Sequence, residues 1–211
     1  MIDIGFQWSR ARAYECVEVE GVRVIRPAGE KRVKLEPLKA DGDKPLYIRF
    51  AELDGSEDAC LQFARVWGLL TTEAPGNAET LAGWKKEIQH LRGLMNVLRV
   101  GEAPPGGILR MRPGSRGVEV NLTSIKVSLV AGKIGADGMI GRPEMILEPA
   151  SLLDAMYLQL GKFVSGDGSL QACKQCGGWF ERGASESRRS IAVFCSEKCK
   201  NRFHYLERAK R

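Results

Sequence analysis

Four cysteines near the end of the chain have the spacing of metal ligands. Cys173 and Cys176 form the pair CKQC, and 18 residues separate this pair from Cys195 and Cys199, which form CSEKC. Two close cysteine pairs separated by about 15 to 20 residues are typical of structural zinc sites. We therefore predict that these four cysteines bind one zinc ion. The alternatives are four unrelated thiols, a pair of disulfides, or a site in which His204 replaces one cysteine.

The residues next to these cysteines indicate how each pair is positioned. Gly177-Gly178 follow the first pair and supply the backbone freedom that a tight turn needs. Ser196 is a good N-cap, so Glu197 is predicted to be the first helical residue and Cys199 the third. A thiolate in the first turn of a helix is stabilised by the helix dipole. A turn plus a helix start is the pattern of a treble-clef-like finger, and four thiolate ligands leave no open position, which favours a structural metal.

The net positive charge of the chain lies in this same region. Residues 171–211 contain ten Lys and Arg and four Glu, a net of +6, which equals the formal net charge of the whole chain. Residues 1–170 therefore carry 22 charges of each sign and balance to zero. Positive charge concentrated in one region is typical of nucleic-acid binders, whereas charge that only keeps a protein soluble is spread over its surface.

The predicted last helix places several of these charges on one side. Cys199, Phe203 and Leu206 share the side that we expect to face the metal and core. On the neighbouring side, Lys200, His204, Arg208 and Arg211 recur at spacings of 4, 4 and 3. The residues that we predict to contact nucleic acid are Arg188, Arg189, Lys198, Lys200, Asn201, Arg202, His204, Arg208, Lys210 and Arg211. The alternative is a solvated helix end, because Lys and Arg also complement the dipole of a helix C-terminus.

The remainder of the chain predicts an α+β fold. Alternating apolar residues predict two to four short strands before residue 50, and spacings of 3 and 4 predict helices over 56–70, 78–99 and 148–163. Pro149 is expected in the first turn of the third helix. The segments ILRMR, GVEVNLTSIKVSLVA and GMIGR predict an antiparallel meander that turns at Ala136-Asp137-Gly138. The glycine-rich stretch SGDGS predicts a boundary between an N-terminal domain of residues 1–168, with antiparallel strands and three main helices, and a zinc finger of residues 169–211.

Composition and motifs argue against several classes of protein. No apolar run reaches the roughly 18 residues of a membrane span, and the first residues lack a signal-peptide core, so we expect a cytoplasmic protein with no membrane partner. Residues 171–211 contain no Asp and one His, too few for a hydrolytic metal site. We do not expect an enzyme.

The finger region resembles the bacterial zinc-finger family named for its CGNR motif. The shared residues are the first cysteine pair, Gly178-Trp179-Phe180, Arg188-Arg189, Phe194-Cys195-Ser196 and Cys199-Lys200-Asn201-Arg202, with Lys200 in place of the motif glycine. Members join the finger to an N-terminal ABATE domain and are thought to be transcriptional regulators. The resemblance is specific over about 40 residues and only architectural elsewhere.

Two hypotheses follow for function. The first is a DNA-binding transcriptional regulator, whose N-terminal domain senses a small-molecule or protein ligand while the zinc finger contacts DNA. The second is a zinc-stabilised protein-interaction module without nucleic-acid binding, which predicts that binding depends on Trp179 or Tyr205 more than on the arginines.

Overall fold

The chain folds as a mixture of helices and mostly antiparallel sheets. The computed structural model describes residues 2–4, 6, 8–35, 44–71, 77–100, 125–130, 144–165, 169–182 and 192–208. Five helices and ten strands lie in these ranges, and four cysteines from the last 40 residues of the chain lie close together. The predicted α+β class is confirmed. None of the helices in this described part combines the length and hydropathy that a bilayer span needs.

Five strands occupy the first 35 residues, one more than the upper limit that we predicted. They are β1 (Ile2–Ile4), β2 (Trp8–Ala11), β3 (Tyr14–Val19), β4 (Val22–Pro27) and β5 (Arg32–Leu35). β3 and β4 form a hairpin whose two loop residues, Glu20 and Gly21, have φ of 50° and 79°. Positive φ at both positions is the requirement of the tight turn that best matches strand twist. β2 pairs antiparallel with β5.

Three of the helices follow the predicted periodicity. They are α2 (Glu57–Trp67), α3 (Leu81–Val100) and α4 (Leu152–Ser165). The predicted cap of α2 is confirmed, because the Ser56 hydroxyl accepts the Ala59 N–H at 3.2 Å. β6 (Glu79–Thr80) precedes α3 and pairs with β4.

A short helix, α1 (Leu46–Ala51), was not predicted. Its six residues LYIRFA carry no polar alternation because five of them are buried. A helix surrounded by core has no polar face, so periodicity could not separate it from an apolar strand.

A mixed sheet links the start of the chain to its second half. β8 (Glu144–Pro149) pairs in parallel with β1 and antiparallel with β7 (Ile125–Val130). The prediction that Pro149 begins α4 is wrong, because Pro149 ends β8 and the Ser151 hydroxyl caps the helix by accepting the Asp154 N–H at 3.0 Å. The rest of the predicted meander, including its turn at 136–138, lies outside the described residues.

The main core lies between the helices and the β3–β4–β6 sheet. Phe50, Phe63 and Trp84 pack edge to face with ring centroids 5.1 to 6.0 Å apart. The Glu79 carboxylate fixes the chain beside them, since it accepts the Trp84 indole N–H at 2.8 Å and the backbone N–H of Leu70 and Thr71. The predicted apolar stripe of α3 forms one wall of this core, where Leu81, Trp84, Ile88, Leu91 and Met95 are buried.

The last three elements are β9 (Ser169–Ala172), β10 (Trp179–Arg182) and α5 (Glu197–Arg208). β9 and β10 form an antiparallel hairpin. β9 contacts α3, and Leu170 belongs to the main core although it follows the predicted domain boundary. The hairpin is thus packed on the main core.

Candidate metal centre and nucleic-acid interface

The first cysteine pair lies in the tight turn between β9 and β10. Hydrogen bonds close this turn from both sides, with Cys173 N–H to Gly178 O at 2.9 Å and Gly177 N–H to Cys173 O at 2.8 Å. Gly177 has φ of +72°, which an L side chain rarely adopts. The sequence prediction of a glycine-dependent turn is confirmed at Gly177.

Gly178 is needed for a different reason, namely close approach. A Cβ added there would lie 3.2 Å from the Glu52 carboxylate and the Lys44 ammonium, and 3.5 Å from the Cys176 sulfur. The glycine lets the turn settle directly on an ion pair of the N-terminal domain, which the sequence pattern did not indicate.

The second cysteine pair lies at the start of α5. As predicted, the helix begins at Glu197, and the Ser196 hydroxyl accepts the Cys199 N–H at 3.3 Å. This bond fixes the first turn of the helix, which carries the Cys199 thiol. The backbone also ties this segment to the first pair, because Lys174 N–H donates to Val193 O at 3.0 Å.

The two elements bring all four predicted cysteines together. Every sulfur lies within 4.8 Å of the others, with Cys176 and Cys195 sulfurs 3.7 Å apart and Cys195 and Cys199 sulfurs 3.4 Å apart. Sulfurs of a tetrahedral site with metal–sulfur bonds of about 2.3 Å are separated by about 3.8 Å. Four thiols at this separation fit one metal ion. His204 is not part of the group.

The protonation behaviour of the thiols shows the electrostatic cost of this arrangement. Burial raises the pKa of Cys195 to about 12, and hydrogen bonding with Cys199 adds to the effect, while burial also raises the pKa of Cys176. Burial acts in the same sense on Cys173, but the backbone N–H groups of Cys176, Cys195 and Gln175 outweigh it and lower its pKa to about 6. Without a cation, ionisation is therefore favoured at Cys173 and disfavoured at Cys176 and Cys195. A divalent cation at the centre would reverse this preference, because it stabilises coordinating thiolates.

The β9–β10 hairpin is docked on the N-terminal domain by polar as well as apolar contacts. Trp179 N–H donates to the Glu52 carboxylate at 2.9 Å, and the Tyr47 hydroxyl lies 2.8 Å from the Glu181 carboxylate. Trp179 also packs against the main core. An open groove of about 550 Å³ runs along this junction, lined by Lys44, Ala51, Glu52, Arg92, Cys176, Gly177, Gly178 and Trp179.

By contrast, α5 makes few contacts. None of its described residues is buried. The Phe203 ring centroid lies 5.3 Å from that of Phe194 and 5.7 Å from that of His204, and the Lys174 ammonium lies 4.9 Å from the Phe203 ring. We expected Leu206 to share the side that faces the metal and core, but its side chain is 41% exposed. No part of the described core contacts this end of α5, so Leu206 stays partly exposed.

The predicted nucleic-acid contacts divide into two groups. Exposed side chains on α5 are Lys198, Lys200, Asn201, Arg202, His204 and Arg208. Arg188, Arg189, Lys210 and Arg211 lie outside the described residues. Within the exposed group, Lys200 is 3.4 Å from the Glu197 carboxylate, and His204 lies edge to face with Phe194 at 6.0 Å.

No protein-family model, curated protein or solved structure matches the chain.

Proposed function

We propose that the protein is a regulator that contacts DNA through a structural zinc finger. The observation that carries this proposal is α5, an exposed basic helix whose first turn belongs to the four-cysteine group and whose remaining residues are not buried. A fixed helix with four Lys or Arg against two Glu has the charge to bind phosphates.

Zinc is the metal that suits this site best. Tetrahedral sets of four thiolates are typical of structural zinc, and they provide no open position for a substrate or water. Cys173, Cys176, Cys195 and Cys199 would hold the ion, which would supply positive charge at the centre and fix α5 against the hairpin. Elemental analysis of the purified protein should give one zinc per chain, and Cys199→Ser should lower that content.

In this proposal the phosphate contacts come from α5 and the segments beside it. Lys198, Lys200, Arg202 and Arg208 would contact phosphates, and Asn201 or Arg202 would reach base edges. The N-terminal domain would sense a ligand or partner, because a displacement near Glu52 or Tyr47 would be passed directly to the hairpin that these residues hold.

The test is the binding of zinc-loaded protein to labelled DNA at about 50 mM salt, where phosphate contacts are strongest. Arg202→Gln should weaken binding and reduce the slope of log affinity against log salt by about 1. Arg65→Gln is the matched control, since it removes an exposed arginine from a helix of the N-terminal domain. Zinc-loaded protein that binds no DNA under these conditions would contradict the proposal.

A protein-interaction module is the second candidate. It is favoured by the exposure of Val193, Tyr205 and Leu206 on the finger. Trp179 is less suited to this role than we expected, because it is half-buried and packs on the main core. This candidate predicts a partner whose binding survives raised salt and is insensitive to Arg202→Gln.

A further inference from the structure

Tyr205 is the most exposed large apolar side chain in the described part of the chain, at 72%. The Phe and Trp rings of the finger are less exposed: Phe180 is buried, and Trp179, Phe194 and Phe203 are half-buried. An isolated exposed tyrosine is not unusual on a protein surface. The residues around Tyr205 on α5 distinguish it from such an isolated tyrosine.

Cationic and amide side chains surround Tyr205 on the helix surface. Arg202 precedes it by three positions, Asn201 by four, and Arg208 follows by three, so all three are its direct neighbours on α5. Lys198 lies two turns earlier on the same side. All four are exposed. Neither glutamate of α5 occupies a position three or four residues from Tyr205.

This face shares Arg208 with the stripe that the sequence indicated, but not Lys200 or His204. Lys200 and His204 lie on the neighbouring side of α5, where Lys200 pairs with Glu197 and His204 contacts the ring of Phe194. Those two side chains already have partners within the finger. The Tyr205 face combines an aromatic ring with positive charges and an amide.

An aromatic ring among cations suits one class of nucleic acid in particular. In single strands, unpaired bases expose their flat faces and stack on aromatic side chains while nearby Lys and Arg hold the phosphates. In a duplex the base faces are covered by neighbouring pairs, and phosphate contacts need no exposed ring. The positive charge is complementary to both single strands and duplexes, but an exposed aromatic ring contributes only to the binding of single strands.

We propose that Tyr205 is a stacking platform for an unpaired base, and that the finger therefore binds single-stranded nucleic acid in preference to duplex. This inference rests on the proposed function and specifies its ligand. Arg202, Arg208 and Lys198 would hold the phosphates on either side of the stacked base, and Asn201 would hydrogen-bond to its edge.

The experiment compares a labelled single strand of about 15 nucleotides with the duplex of the same sequence, in fluorescence anisotropy titrations at about 50 mM salt. We expect zinc-loaded wild-type protein to bind the single strand more tightly. Tyr205→Ala should weaken single-strand binding about tenfold or more, with duplex binding and the salt slope unchanged. Tyr205→Phe keeps the stacking ring and should stay within about threefold of wild type.

Two controls separate stacking from folding and from charge. Zinc content and far-UV circular dichroism of Tyr205→Ala should match wild type, because the side chain is exposed. Arg202→Gln should weaken the binding of both ligands and lower the salt slope, as expected for a phosphate contact.

The outcomes distinguish this inference from the proposed function. If wild-type protein binds nucleic acid but Tyr205→Ala changes neither affinity, the stacking role is wrong and Tyr205 is left for a protein partner. Equal losses for Tyr205→Phe and Tyr205→Ala would also overturn it, because they would place the effect in the hydroxyl group. Zinc-loaded wild type that binds neither ligand would contradict the proposed function itself.

Discussion

The N-terminal domain and α5 are stabilised in different ways. The domain buries large side chains such as Trp84, Tyr47 and Phe50 between four helices and its sheets, whereas α5 buries none of its described residues. The β9–β10 hairpin lies between these extremes, because Leu170 belongs to the core while Cys173 belongs to the thiol group. Burial of apolar side chains holds the hairpin in place, whereas the position of α5 depends on the thiol group that joins it to the hairpin.

The candidate metal site joins α5, which has no buried residues, to the hairpin that packs on the core. Burial of apolar surface stabilises a helix in proportion to the area removed from water, and α5 removes little. Coordination by four thiolates would supply on the order of 10 kcal/mol of binding free energy. Metal binding would therefore stabilise α5, as apolar burial in the core stabilises α3.

Removal of the metal should produce the largest difference in stability between α5 and the helices of the core. In chelated protein, the backbone amides of α5 should lose their protection from hydrogen exchange, while those of α3 in the same sample stay protected by the core. Hydrogen exchange read by mass spectrometry checks both helices at once. Persistent protection of α5 without metal would show that its few aromatic contacts are sufficient.

The reverse perturbation is a cavity in the core. Leu91 is fully buried in α3, so Leu91→Ala should lower the free energy of unfolding of the N-terminal domain by about 3 kcal/mol. Urea unfolding measures this loss. The zinc affinity of the folded protein should remain that of wild type, and a large fall in that affinity would mean that core and metal site are not separate.

A smaller effect is expected at the junction. Glu52→Ala removes the acceptor of the Trp179 N–H and the partner of Lys44, and should reduce zinc affinity about fivefold, equivalent to about 1 kcal/mol, because the turn carrying Cys173 and Cys176 is less well held. Competition with a chromophoric chelator measures it.

Glu15→Ala is the matched control for this change. It also removes a carboxylate from an ion pair, the exposed one with Arg26, far along the chain from the hairpin. Its zinc affinity should equal that of wild type. Equal losses in the two variants would show that the Glu52 contact has no specific role.

The sequence was most informative where the structure depends on neighbouring residues. The caps at Ser56 and Ser196, the positive φ at Gly177 and the start of α5 are all local, and each could be predicted from residue type and position. The clustering of the four cysteines follows from the same kind of reasoning, since each pair is held by one local element.

The features that were missed depend on residues far apart in the chain. α1 forms because the core surrounds it, and the Glu52–Trp179 bond joins residues 127 positions apart. Leu206 was placed on the inner side by its helical position, but no core reaches that end of α5. Tyr205 was predicted from the sequence only as a candidate protein contact, and its position among cationic side chains on the exposed side of α5 became apparent from the structure.

Our central proposal is that a metal ion, and not the hydrophobic core, would hold α5 in a form able to bind nucleic acid. The most direct test is a zinc titration of metal-free protein in the presence of labelled single-stranded and duplex DNA, with anisotropy recorded at each step. We predict that DNA binding appears with the first equivalent of zinc and then saturates. DNA affinity that is the same before and after zinc is taken up would contradict the account.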